Sequence, residues 1–522
     1  MGTRTTSADG TIRVPSQPNR QLLVVTRGLP LTTLPPKTPV TSPSSPCNIA
    51  LIAAAGRTSI TREMIMRKTI AAIAMALATT PAIAQEPTKR FPAALAGHAL
   101  IRADASVTSP ADAPADLAVS GKFTGPGNTR NHAIGTIEGT SFLSDKAAPR
   151  KTGYTMPLKG QSLQGFSGIK TVGDGTYWVL TDNGFGSKAN SPDSMLMFHK
   201  VKPDWATGKV EVVSTTFLSD PDKKVPFRIA NEATEKRYLT GADFDLESIQ
   251  PIGNEIWIGE EFGPYLIKTD LSGKVLAVVE TSVDGKPARS PDHYAVQTPA
   301  LPASTGAFNV RRSRGYEGMA ASKDGKMLYP MLEGPIWDAE KKDWEKIDGK
   351  EVLRVLEFSV VDNTWTGRHW KYPVEIAGNN IGDINMIDAT TALVIERDNG
   401  EGSVEKACPE GKPAPDCFNV PAKLKRIYKI EMTDANAGGL VRKIGYIDLM
   451  DIADPKGLAR QGGKDGKLTF PFVTIEDVDV VGTTQVIVAN DNNFPYSAGR
   501  EPQKQDDNEF ILLDVAELLT AK

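Results

Sequence analysis

A two-part acidic motif recurs five times along this chain, and no other feature restricts its fold so tightly. Each copy opens on a small or acidic segment, runs through a short apolar stretch, turns, and closes on a second polar corner. The openings are Gly165-Phe166-Ser167-Gly168-Ile169, Asp245-Leu246-Glu247-Ser248-Ile249, Gly315-Tyr316-Glu317-Gly318-Met319, Gly382-Asp383-Ile384-Asn385-Met386 and Ile475-Glu476-Asp477-Val478. The closures are Thr181-Asp182-Asn183-Gly184, Glu260-Glu261-Phe262-Gly263-Pro264, Leu332-Glu333-Gly334-Pro335, Glu396-Arg397-Asp398-Asn399-Gly400 and Ala489-Asn490-Asp491-Asn492-Asn493. Between them lie turn signals such as Gly173-Asp174-Gly175, Gly253-Asn254 and Lys323-Asp324-Gly325. An apolar run, a turn and a second apolar run make a hairpin. The copies start roughly 70 to 90 residues apart, longer than compact propeller blades but compatible with long insertions between strands.

Hairpins repeated around an axis, each delivering acidic groups from equivalent corners, describe a β-propeller with a carboxylate-lined channel mouth. Asp, Asn and Gly at strand ends are ordinary turn residues, but the recurring Glu is not something a turn needs. With 46 Gly and 37 Pro in 522 residues, and few long amphipathic runs, the composition suits an all-β class. The expected architecture is therefore all-β, a single β-propeller of six blades. Five blades are visible as repeats, and the sixth is expected where Phe510-Ile511-Leu512-Leu513-Asp514 joins a strand around Ala133 to Phe142. A five-bladed ring is the alternative. A formal net charge of −3 argues against a general nucleic-acid binder.

Four segments are expected. Residues 1–63, rich in Thr, Ser, Pro and Arg, read as a disordered or mis-annotated leader. Residues 64–84 read as a signal peptide: Met66-Arg67-Lys68, an apolar stretch from Thr69 through Ala78, then Ala82-Ile83-Ala84 as a cleavage motif. That stretch is too short for a membrane span. Residues 85–130 read as an N-terminal extension, and 131–522 as the propeller. The expected product is a periplasmic or secreted chain cut after Ala84. Because the signal does not begin the chain, translation from Met64 or Met66 is the simplest account, with a genuine extension as the alternative. Cys408 and Cys417 flank an eight-residue insertion and are expected to pair as a disulfide in an oxidising compartment.

The chain's five His residues are scattered without His-x-x-x-His spacing, which makes a helical zinc site improbable. There is no Gly-x-Ser-x-Gly elbow, no phosphate-binding Gly-rich loop and no dinucleotide fingerprint. Ser167-Gly168-Ile169-Lys170 spells Ser-x-x-Lys, but its place in the repeat explains it better. What remains is oxygen-rich. Converging carboxylates raise one another's pKa unless cations compensate, and hard oxygen ligands in that number select Ca²⁺, or less readily Mg²⁺ or Mn²⁺. The run Arg311-Arg312-Ser313-Arg314 before the third opening offers bidentate phosphate recognition, with Lys170, Lys423 and Arg426 as weaker candidates.

Asp245-Leu246-Glu247-Ser248, Gly259-Glu260-Glu261-Phe262-Gly263-Pro264, Arg314-Gly315-Tyr316-Glu317-Gly318-Met319, Leu332-Glu333-Gly334-Pro335 and Glu396-Arg397-Asp398 resemble the phytase-like family of exported bacterial proteins, described as having the esterase-like activity of phytase. The resemblance covers roughly Gly160 to Asp514. It implies a phosphoesterase or phosphodiesterase that relies on acidic residues. Glu317, Glu261 and Arg314 are the expected catalytic residues. Glu247, Glu260, Glu333, Asp383, Glu396, Asp398, Glu476 and Asp491 are the expected metal ligands, and Arg312, Arg314 and Arg397 the expected phosphate contacts. The expected cofactor is Ca²⁺ and the expected partner a small phosphate ester, met by a monomer. The competing class is a non-catalytic propeller that binds a ligand or a protein and uses metals for structure alone.

Overall fold

A computed structural model describes residues 88–124, 135–139, 150–301 and 306–522. The leader, the signal peptide and its cleavage site fall outside the described residues. Among the described residues, no helix is long and apolar enough to cross a membrane.

Five four-stranded antiparallel blades form the ring, and further strands and hairpins lie outside them. Blade 1 is Phe166–Thr171, Tyr177–Thr181, Met197–Asp204 and Lys209–Phe217. Blade 2 is Leu246–Ile252, Glu255–Glu260, Tyr265–Asp270 and Val275–Glu280. Blade 3 is Tyr316–Ala321, Met327–Leu332, Lys350–Ser359 and Thr364–Pro373. Blade 4 is Asn380–Met386, Thr391–Arg397, Lys425–Glu431 and Arg442–Asp448, with Lys89–Arg90 added in parallel at its outer edge. Blade 5 is Asp477–Val481, Gln485–Ala489 and Asn508–Asp514, completed by Ala94–Ile101 from the start of the described chain.

Apolar wedges between blades close the ring. Leu180 and Phe198 of blade 1 meet Ile249 and Ile258 of blade 2. Trp257 and Leu266 of blade 2 meet Tyr316 and Phe358 of blade 3. Met331 and Tyr372 of blade 3 meet Ile384 and Tyr428 of blade 4. Leu393 and Ile427 of blade 4 meet Val478 and Ile511 of blade 5. The last wedge sets Ile487 and Phe510 of blade 5 against Phe166 and Val179 of blade 1. One core between every successive pair, including the last and the first, is what a closed propeller requires.

The sixth blade does not form as expected. Asn508–Asp514 pairs antiparallel with Ala94–Ile101, from Leu95 opposite Leu513 to Ile101 opposite Asn508, while Gly135–Gly139 forms a hairpin with Arg150–Met156. Residues 94–101 thus belong to the propeller and not to an extension ending at residue 130. Their Ala94-Leu95-Ala96-Gly97-His98-Ala99 sequence reads too weakly as a strand by itself. It becomes one because an unpaired edge is available at the end of the fifth repeat.

Candidate functional site

Each inner strand begins at the axis, and in blades 2 and 3 its second residue is the extra one of a β-bulge. Leu246 pairs with Glu260 and Ser248 with Gly259, leaving Glu247 unpaired. Tyr316 pairs with Leu332 and Gly318 with Met331, leaving Glu317 unpaired. Blades 1 and 4 show a register shift at the same place. A bulge of this kind re-aims a side chain and ends regular pairing. The repeat position so defined carries Ser167, Glu247, Glu317, Gly382 and Glu476. Blades also approach closely there: a Cβ on Gly318 would sit 2.7 Å from the Ile384 nitrogen, and one on Gly382 2.2 Å from the Ile475 oxygen. The closing corners supply a second ring, Asp182, Glu261, Glu333, Arg397 and Asp491.

Every residue of both rings except Gly382 lines one cavity of about 420 Å³, joined by Asp245, Arg314, Ser313 and several Asn residues. Eight lining residues carry carboxylates and two, Arg314 and Arg397, carry guanidinium groups. Carboxylate oxygens of Asp245, Glu247 and Glu261 lie within 4.8 Å of one another, and so do those of Glu261, Glu317 and Glu333. Glu261 is common to both triads. Glu333 Oε1 is buried and has no hydrogen-bond partner.

The electrostatics follow from that crowding. Burial raises the Glu317 carboxyl well above its ordinary range, with Glu333 and Glu476 adding repulsion. Burial, then Asp245 and Glu317, does the same for Glu247. Glu261 is raised by burial, Asp245 and Glu333, and Asp491 by burial and Glu476. Asp182 rises through burial, Asp491 and Asp245, while Asp245 is pushed up to about 6 by burial despite bonds from Asn183. Arg397 occupies the ring position that is acidic in the other blades. Its Nη2 lies 2.6 Å from Glu476 Oε1 and 3.3 Å from Glu317 Oε1. Arg314 pairs with Glu333 and is about one-third exposed, which leaves it the more accessible cation. Ser167 Oγ donates to Glu476 Oε2 at 3.1 Å.

Glu247, Glu261, Glu317, Glu333, Glu476, Asp491, Arg314 and Arg397 therefore come together as expected residues of one mouth. Five other expected residues do not line it. Glu260 points away and accepts the Phe262 and Gly263 backbone N–H groups at 2.9 and 2.6 Å, so it shapes the corner that presents Glu261. Glu396, one residue from Arg397, faces the opposite side of its strand, where it accepts from Tyr372 Oη, the Glu375 N–H, Asn379 and Lys443. Asp398 organises the next turn through Lys425 Nζ at 3.0 Å and the Lys423 N–H at 2.8 Å. Asp383 is buried against the Ile384 N–H and Asn385. Arg312 is exposed and pairs with Asp292. The alternation of strand faces separates Glu396 from Arg397 and Asp383 from Gly382, whereas Asp398 and Arg312 lie outside the strands.

Asp182 and Asp245 were not among the expected ligands, although both lie in repeat motifs. The aligned position of Glu261 and Glu333 was the signal for Asp182. The Lys170 ammonium bonds Asp479 at 2.9 Å and Asn385 at 2.8 Å, so Ser167 and Lys170 do not form a nucleophilic pair. Cys408 and Cys417 are joined as a disulfide.

Fold and site together define a closed β-propeller whose channel mouth is a nest of buried carboxylates with two arginines. The chain belongs to the phytase-like family, described as having the esterase-like activity of phytase, whose family model matches residues 161–494. That description makes the family hydrolytic. A curated relative, an uncharacterized secreted protein of Arthroderma benhamiae, is 28% identical over 144 residues, which are 24% of this chain and 26% of that protein. The chain thus spans about a quarter of the length of that relative. Among solved structures, the periplasmic gluconolactonase of Pseudomonas aeruginosa is similar at 10% identity and a TM-score of 0.27, covering 73% of this chain and 100% of that one. The PQQ-bound aldose sugar dehydrogenase of Streptomyces coelicolor is similar at 9% identity and a TM-score of 0.26, covering 73% and 98%. Scores this low leave the fold assignment to the strand connectivity described above.

Proposed function

We propose that the protein is an exported, Ca²⁺-dependent phosphoric ester hydrolase acting at the propeller mouth. The observation that carries this reading is the excess of eight carboxylates, seven of them on buried residues, over two guanidinium groups in one cavity. That many carboxylates cannot all ionise at close quarters without cations. Two oxygen triads sharing Glu261, together with a Glu333 Oε1 that accepts no hydrogen bond and has Arg397 no nearer than 3.9 Å, fit a hard divalent cation. Asp245, Glu247, Glu261, Glu317 and Glu333 would hold it. When bound, such a cation neutralises phosphate charge and lowers the pKa of water for attack.

The chain's own residues do the rest. Arg314, at the rim, binds a non-bridging phosphate oxygen through its free guanidinium edge. Arg397, fixed between Glu317 and Glu476, holds positive charge at the floor of the cavity and keeps those two carboxylates from drifting apart. The walls of the mouth limit bulk water around the phosphate. The disulfide fits an oxidising compartment, and the relative's description as secreted supports export. N-terminal sequencing of the exported, monomeric chain is expected to begin at Gln85.

The deciding experiment measures hydrolysis of p-nitrophenyl phosphate and bis-p-nitrophenyl phosphate across roughly pH 5 to 9, the range in which general acid and base groups titrate. The chelated chain should be inactive, and Ca²⁺ should restore turnover better than Zn²⁺. Folded, Ca²⁺-loaded protein that cleaves neither ester would leave a non-catalytic binding propeller as the better reading.

A further inference from the structure

The two oxygen triads of the mouth differ in what already neutralises them. Glu317 and Glu333 face both arginines: Arg397 Nη2 lies 3.3 Å from Glu317 Oε1 and 3.9 Å from Glu333 Oε1, and Arg314 pairs with Glu333 Oε2. Among the described residues, Asp245, Glu247 and Glu261 form no ion pair, and the N–H groups that reach them are the Asn183 backbone N–H at 3.0 Å and its Nδ2 at 2.5 Å, both on Asp245. Glu247 and Glu261 are 6% and 7% exposed and line the cavity, yet neither accepts a hydrogen bond from a described N–H or O–H group. A buried carboxylate with neither donor nor cation is costly. Two of them turned into one cavity call for positive charge from outside the chain.

The size and number of the triads say how much. Oxygens on opposite sides of one Ca²⁺ are roughly 4.6 to 5.2 Å apart, twice the usual ligand distance, so a triad whose oxygens lie within 4.8 Å of one another is the size of one coordination sphere. Asp245 and Glu247 do not group with Glu317 and Glu333; the five carboxylates fall into two spheres that have only Glu261 in common. The charge count agrees. Eight carboxylates against two guanidinium groups leave six negative charges when all ionise, one divalent cation still leaves four, and a second reduces that to two.

We propose that the mouth holds two divalent cations, one on Asp245, Glu247 and Glu261 and the other on Glu261, Glu317 and Glu333, with the Glu261 carboxylate bridging them. The inference rests on the reading of the mouth as a cation site and not on the ester chemistry assigned to it. The two positions are unequal. The first meets no competing positive charge and fills first. The second shares Glu317 and Glu333 with Arg397 and Arg314, whose repulsion weakens it.

The full chain, stripped with chelator and exchanged into metal-free buffer, is titrated with CaCl₂ by calorimetry, and the bound ions are counted by equilibrium dialysis. Two Ca²⁺ per chain are expected, with affinities at least about ten-fold apart, since ligand charge sets the affinity of such sites. Glu247→Gln should weaken the tighter event about ten-fold or more, Glu333→Gln should remove the weaker event and leave the tighter one within about two-fold, and Glu261→Gln should weaken both. Asp245→Asn and Glu317→Gln supply a second variant for each triad, and urea midpoints in chelator separate a lost site from a lost fold. One ion per chain at saturation overturns the assignment. So does no ion at all, the result expected if protons alone relieve the carboxylates, or a second ion that survives both Glu333→Gln and Glu317→Gln. A Glu261→Gln chain that loses only one event overturns the bridge. The count needs no turnover: two bound ions without hydrolysis of either nitrophenyl ester overturns the ester reading alone, and hydrolysis with one bound ion overturns this inference alone.

Discussion

Glu317 and Glu396 are the same residue type at the axial ends of neighbouring blades, yet their surroundings assign them opposite work. Glu317 is crowded by Glu333 and Glu476 in the open cavity, whereas Glu396 is enclosed by four donors, including Lys443 Nζ at 3.0 Å. Glu317→Gln keeps the shape and removes one charge. It is expected to lower kcat on the order of a hundred-fold, the scale of losing one preorganised electrostatic contact, with an unchanged urea midpoint in chelator. Glu396→Ala is expected to cost about 3 kcal/mol of unfolding free energy, because the buried Lys443 loses its close partner and keeps only Glu375 at 3.7 Å, while calorimetric Ca²⁺ affinity stays the same. A reversed pattern would show that the assignment of these two residues is mistaken. The sequence could not separate them: each sits at a repeat corner beside an apolar run, and which face a strand residue takes depends on register.

At the scale of elements, the hairpins were legible because apolar runs and Gly-containing turns are local signals, and all five recurring hairpins stand where the repeats begin. The bulges that aim Glu247 and Glu317 toward the axis were not legible, since a bulge is defined by pairing with the next strand. The insertion of blade 4 that holds Cys408 and Cys417 was readable from spacing and is closed by their disulfide. In the chain-entropy account, a loop of this length contributes roughly 2 to 3 kcal/mol. Replacing both cysteines by Ser is therefore expected to lower unfolding free energy by up to that amount, checked by urea denaturation.

For the molecule as a whole, the ring is held by the last blade borrowing Ala94–Ile101. A chain beginning at Gln85 keeps this strand. One beginning at Arg102 exposes Asn508–Asp514 as an unpaired apolar edge, and is expected to aggregate in sedimentation and light-scattering measurements. The buried acids also give the molecule a pH signature. Burial raises Asp245 to about 6 and Glu260 and Asp506 to about 8, against about 4 in an unfolded chain. The folded state then binds more protons than the unfolded one, so the stability these groups contribute is full below about pH 4 and is lost as pH rises through about 6 and about 8. His199, depressed to about 3 by burial, acts the other way, but above its unfolded value of about 6.5 it is neutral in both states. The chelated protein should therefore show a falling urea midpoint from about pH 6.5 to 8.5. Ca²⁺ at a hundred times its Kd should add about 2.7 kcal/mol.

The sequence by itself determined the all-β class, the number of recurring hairpins, the two corners of each repeat and most of the acidic mouth. Those properties are carried by short-range patterns: alternation, turn residues and a spacing that repeats. Tertiary structure alone decided the rest. It fixed closure by residues 94–101, because the pairing partner is more than four hundred positions away. It turned Glu260, Glu396, Asp398, Asp383 and Arg312 away from the mouth, because strand register and local partners set where a side chain points. It also joined the two oxygen triads through Glu261, because Glu261 of blade 2 meets Glu317 and Glu333 only when blades 2 and 3 pack together.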